Sequence, residues 1–127
     1  MSELTKQRPK FLNLAEIKLP LPGLASILHR ISGVGIFLML PLLIWLLDMS
    51  LRSVESFQAF QTVTGNIFVK LVLIGLLWAF MHHLCMGIRV LLIDMHIGVE
   101  KTKARASAKA VFVVSILMTL ILGARLW

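Results

Sequence analysis

The chain is poor in the groups on which soluble redox proteins and transporters depend. It has one cysteine, Cys85, six acidic residues in 127, and no carboxylate between Glu55 and Asp94. A single cysteine excludes an intrachain disulfide and any iron–sulfur cluster held by this chain alone. Set in an apolar run, Cys85 reads as a small apolar filler. No glycine-rich dinucleotide fingerprint is present, so no flavin or nicotinamide apparatus is expected. Transporters and proton channels usually carry a carboxylate within the membrane, and the gap from Glu55 to Asp94 argues against that class. Residues 1–18 are polar and basic without an apolar core, so no cleavable signal peptide is expected.

What remains is apolar. Hydrophobic residues make up 58% of the chain and charged ones 15%; with a mean hydropathy of +0.90, this points to an integral membrane protein. Three apolar segments stand out, at about 31–47 (with polar helical residues back to Leu24), 67–93 and 106–126. Each covers the ~20 residues a spanning helix needs. Lipid leaves the backbone no partner but itself, so the predicted fold is an all-α membrane protein of three transmembrane helices. Their expected limits are about 24–50, 66–95 and 106–126, forming one anchor domain (24–127) behind a tail of residues 1–23. Pro20, Pro22 and Gly23 set the first helix off from the tail, and Pro41 is expected to kink it slightly.

The net charge of +7 marks topology and not a nucleic-acid partner, because the basic residues cluster at span ends. Lys6, Arg8, Lys10, Lys18 and Arg30 precede the first span, and Lys101, Lys103, Arg105 and Lys109 separate the second from the third. That makes nine on one side against Arg52, Lys70 and Arg125 on the other. The bias predicts a cytoplasmic N-terminus, with the connection over 48–65 and Trp127 facing outward. Trp45 and Trp127 suit the interfacial aromatic belt.

His82, His83 and Arg89 lie at or near bilayer depth, where an ionisable group costs a few kcal/mol or more and needs a partner. At about 100° per residue, Gly75, Ala79, His83 and Gly87 form a slowly drifting stripe of small residues with one histidine in it. A neighbouring backbone or a flat macrocycle can come close there. His82 points about a quarter-turn away, with Trp78, Met86 and Arg89. His83 is therefore the better ligand candidate; ordinary packing, with His83 hydrogen-bonded to another helix, is the alternative. His83 stands ~16 Å from Asp94, near mid-membrane. A macrocycle ligated there would extend its carboxylates toward the basic side, where Arg89 and the end of the first helix are placed to receive them.

Ser26, His29, Arg30 and Gly33 stand at i, i+3, i+4 and i+7 and share a face. A hydroxyl, an imidazole and a guanidinium converging near the interface suit a carboxylate, or the oxygens of a quinone. A topological Arg30 with incidental Ser26 and His29 is the alternative. The scattered methionines read as packing, and His96 as solvated.

These residues resemble the cytochrome b subunit of bacterial succinate dehydrogenase. The match rests on Arg8–Pro9, on Ser26-x-x-His29-Arg30-x-Ser32, and on His83-x-x-x-Gly87-Ile88-Arg89 followed by Asp94, across roughly residues 6–127. The resemblance implies a multi-pass anchor subunit of succinate:quinone oxidoreductase in the bacterial inner (cytoplasmic) membrane. Its implied partners are a second membrane anchor subunit, an iron–sulfur subunit and a flavoprotein subunit, which pass electrons from succinate to ubiquinone. One haem b is implied, shared with the second anchor. His83 matches the axial ligand of the haem iron, Ser26 and Arg30 match the ubiquinone pocket, and His29 matches a residue near the haem propionates. The chain departs from the family pattern at Val90, where a histidine is common, and at Ile93, where an aromatic or methionine is common. Val90 shares the His83 face, so one propionate contact is expected to be missing or replaced. A small transporter or proton-conducting protein, a haem-free structural anchor and a fumarate reductase anchor are the competing readings.

Overall fold

The structure, a computed structural model, describes residues 10, 11, 13 and 15–127. Arg8–Pro9 and about half of the expected tail lie outside the described residues. The described residues form four helices: α1 (Leu21–Arg52), α2 (Val54–Gly65), α3 (Ile67–Asp94) and α4 (Lys101–Leu126). Three of them, α1, α3 and α4, are long and apolar enough to cross a membrane. Pro20 caps α1 and Pro22 falls in its first turn, where a missing N–H is no loss. The helix continues unbroken through Pro41.

The connection expected over residues 48–65 is itself largely helical, a conformation the sequence reading left unassigned. Ser53 is the one extended residue between α1 and α2, and it forms a capping box with Ser56. The Ser56 N–H donates to Ser53 Oγ at 3.1 Å and the Ser53 N–H donates to Ser56 Oγ at 2.9 Å. The orphan donors at the break are thus answered locally, which lets a new helix start at once. Asn66 repeats the device for α3, its Oδ1 accepting from the Phe68 N–H at 2.9 Å. Helix α4 begins five residues before the apolar pattern, because Lys101, Lys103, Ala104 and Arg105 are themselves good helix formers.

The core sits where α1, α3 and α4 meet: Ala25, Met86, Ala108 and Val111, with Cys85 and Phe112 packed against them. Farther along α4, Ser115, Thr119 and Gly123 are buried. The two hydroxyls donate to carbonyls of their own helix, and a Cβ at Gly123 would come within 2.9 Å of the Ile74 side chain. Small residues and self-satisfied hydroxyls let two membrane helices approach closely. Outward-facing side chains such as Phe37, Phe68 and Leu120 are exposed and apolar, as a lipid-facing surface requires.

Helix α3 ends in a Schellman motif. The Ile97 N–H reaches the Leu92 carbonyl at 2.9 Å and the His96 N–H reaches the Ile93 carbonyl at 2.8 Å, with His96 at φ 61°. Glycine is the residue this left-handed position favours. His96→Gly is expected to raise stability by about 0.5–1 kcal/mol, read as a higher thermal midpoint of the purified protein; an unchanged or lower midpoint would count against strain at His96.

Candidate functional site

Two consecutive histidines of α3 reach α1 in different ways. His82 Nε2 lies 3.4 Å from the carbonyl oxygen of Ala25, and His83 Nδ1 lies 3.1 Å from that of His29. Those carbonyls are four residues apart, so α3 grips successive turns of α1. A carbonyl only accepts, so the facing ring nitrogen carries the proton in each case. His82 is protonated on Nε2 and His83 on Nδ1.

Opposite tautomers give the two rings different chemistry. His82 is fully buried, set between Trp78 and Phe112 with ring centroids 5.4 and 5.2 Å away. Its Nδ1 is buried without a partner. His83 is only half-buried, and its Nε2 has no hydrogen-bond partner among the described residues. The imidazole of His29 stacks on it, with centroids 4.3 Å apart and planes inclined by 21°. Ser32 Oγ donates to the His29 carbonyl at 2.9 Å and lies 3.4 Å from His83 Nδ1. A Cβ at Gly33 would sit 2.9 Å from His83 Cε1, and one at Gly87 would sit 3.8 Å from His29 Nε2. Gly33 therefore leaves room for the His83 ring, whereas a Cβ at Gly87 would make only an ordinary contact with His29.

An imidazole with Nδ1–H tied to a carbonyl and Nε2 open is oriented for metal ligation. Among the described residues there is no group of three or more His, Cys, Asp or Glu arranged to hold a metal ion. A porphyrin iron brings four nitrogens of its own and asks the protein only for axial donors. His83 fits that demand, and His82, with its open nitrogen sealed in the core, does not.

Ser26 and Arg30 lie one turn apart on α1, beside His29. Ser26 is half-buried and Arg30 exposed, and Arg30 forms no ion pair among the described residues. Arg89 is not gathered into this group. Buried at 8% exposure, it turns to α4, where Nε donates to Ser107 Oγ at 2.9 Å and Nη2 to the Ala104 carbonyl at 3.1 Å. Nη1 approaches Met86 Sδ at 3.8 Å, so three of its five N–H groups are engaged within the chain. Val90 faces outward. A serine three residues after His29 signals a bond back to its carbonyl, whereas the approach of His83 to Ser32 and Gly33 has no mark in the sequence. Gly75 and Ala79, with Ser32 and Gly35, line a cleft of about 320 Å³ at the α1–α3 seam.

The family model described as succinate dehydrogenase/fumarate reductase transmembrane subunit matches residues 4–122. The succinate dehydrogenase cytochrome b556 subunit of Coxiella burnetii is 36% identical over 125 residues, covering 98% of this chain and 100% of its own. That of Rickettsia felis is 32% identical over 120 residues, 94% of each chain. That of Paracoccus denitrificans is 29% identical over 114 residues, 90% of this chain and 88% of its own.

The Arg89 geometry generates its own test. Arg89→Met would leave the Ala104 carbonyl and Ser107 without their charged donor and should cost about 1.5–3 kcal/mol, read as a lower thermal midpoint. A midpoint equal to the parent's would remove Arg89 from the α3–α4 packing.

Proposed function

The chain belongs to the succinate dehydrogenase/fumarate reductase transmembrane subunit family, and from that premise we propose that it binds haem b jointly with a second membrane anchor subunit and forms part of a ubiquinone-reduction site. The observation that carries this reading is the setting of His83, whose Nδ1 faces the His29 carbonyl at 3.1 Å while Nε2 has no partner among the described residues. His83 is the proposed axial ligand, and a bound haem would supply a one-electron store beside the path to quinone. His29, stacked on His83, is the proposed propionate neighbour. Any propionate contact from Arg89 falls to the two N–H groups that α4 and Met86 leave free.

Ser26 and Arg30 are proposed to hold the ubiquinone headgroup. Arg30 donates a charge-assisted hydrogen bond to a quinone oxygen as negative charge builds there, and the Ser26 hydroxyl donates a second. An iron–sulfur subunit and a flavoprotein subunit dock on the same side and deliver electrons from succinate. That side is the cytoplasmic one in the proposed orientation, an inner-membrane topology supported by Lys10, Lys18, Lys101, Lys103, Arg105 and Lys109. Reporter fusions at Lys10 and Lys103 should both read as cytoplasmic and one at Ser56 should not; a periplasmic signal at Lys103 would sink the topology.

The functional test uses the assembled complex. Arg30→Leu and Ser26→Ala should slow ubiquinone reduction by about tenfold to a hundredfold, with succinate oxidation by an artificial dye nearly intact. Full quinone activity in both variants would remove these residues from the site, and equal loss of both activities would indicate failed assembly. In the same preparation His83→Ala should lose the bis-imidazole spectrum, and His82→Leu should keep it.

A further inference from the structure

We infer that Ser32 and Gly33 are positioning residues for the His83 imidazole, Ser32 by sharing its Nδ1 proton and Gly33 by fixing its ring plane. The inference rests on the reading of His83 as an iron ligand. Ser32 is buried at 7% exposure, and its one hydroxyl proton is committed to the His29 carbonyl at 2.9 Å. The Oγ lone pairs are therefore what faces His83 Nδ1 at 3.4 Å. The ring proton is shared between two acceptors, the carbonyl at 3.1 Å and the hydroxyl. Both acceptors belong to one turn of α1, so they fix direction as well as tautomer.

Gly33 closes the other side. A methyl there would press on Cε1 at 2.9 Å and on Nδ1 at 3.3 Å. The ring has little room to yield, because His29 is stacked on its face and Nδ1 is tied to α1. An added Cβ would therefore rotate the imidazole out of its hydrogen bonds. Outer-shell acceptors on a ligating imidazole make the metal-bound nitrogen more basic, which favours the oxidised metal. Losing the Ser32 acceptor should move the haem the other way.

The experiment is a redox titration and a low-temperature electron paramagnetic resonance spectrum of the assembled complex. Ser32→Ala should retain haem at the parental ratio to protein and titrate at a higher midpoint potential. Ser32→Thr, which keeps the hydroxyl, should stay at the parental potential. Gly33→Ala should shift the g-values of the low-spin signal, since these report ring orientation. An unchanged or lower potential in Ser32→Ala overturns the shared proton. If that variant fails to assemble, unchanged g-values in Gly33→Ala overturn the positioning role. His83→Ala separates the two levels: a bis-imidazole signal that survives it sinks the ligand reading itself, whereas its loss alongside a silent Ser32→Ala sinks only this inference.

Discussion

Two backbone carbonyls of α1, at Ala25 and His29, organise the rest of the molecule. Hydrocarbon offers no competing water, so a polar ring carried into it has to find its partner inside the protein. Residues 82 and 83 find theirs on successive turns of one helix, and that pair of hydrogen bonds fixes both the height of α3 against α1 and its rotation about its own axis. Everything else on α3 follows from that rotation. Met86 and Arg89 are carried toward α4, His83 is left at the α1 seam, and position 33 has no space for a side chain beside the His83 ring.

The three long helices were legible because their apolar runs exceed what a buried soluble helix needs, and lipid permits no other structure. Helix α2 was not. Its sequence, VESFQAFQTVTG, mixes apolar and polar residues without a sustained pattern, and its one clear signal is the Ser53–Ser56 pair, two residues at a helix break. The difference between His82 and His83 was legible as an angle, since one lies in the small-residue stripe and the other a quarter-turn away. Their tautomers were not, because the acceptors are main-chain atoms of a distant helix, and a carbonyl has no letter in the sequence.

Arg89 illustrates the same limit. Its depth can be counted along the chain, and depth alone makes it a neighbour of a mid-membrane ligand. Its direction depends on α4, whose Ala104 carbonyl and Ser107 hydroxyl lie in a segment that reads from sequence as a basic loop leading into a span. Once α4 starts at Lys101, those acceptors fall beside α3, and part of the guanidinium is engaged in joining the two helices.

Helix α1 has 32 residues, a length of about 48 Å at 1.5 Å per residue, against a hydrocarbon thickness of roughly 30 Å. Tilt alone would have to reach about 50° to hide that excess, beyond the ~0–40° that membrane helices adopt. Hydrophobic mismatch therefore leaves part of the helix outside the hydrocarbon, and with the apolar run starting only at Ile31 the first turns, with Ser26, are the segment suited to headgroup level. In the proposed site, a lipid-soluble substrate with its polar ring at Ser26 would keep its isoprenoid tail among the acyl chains, so it would arrive by lateral diffusion within the leaflet and never have to cross water.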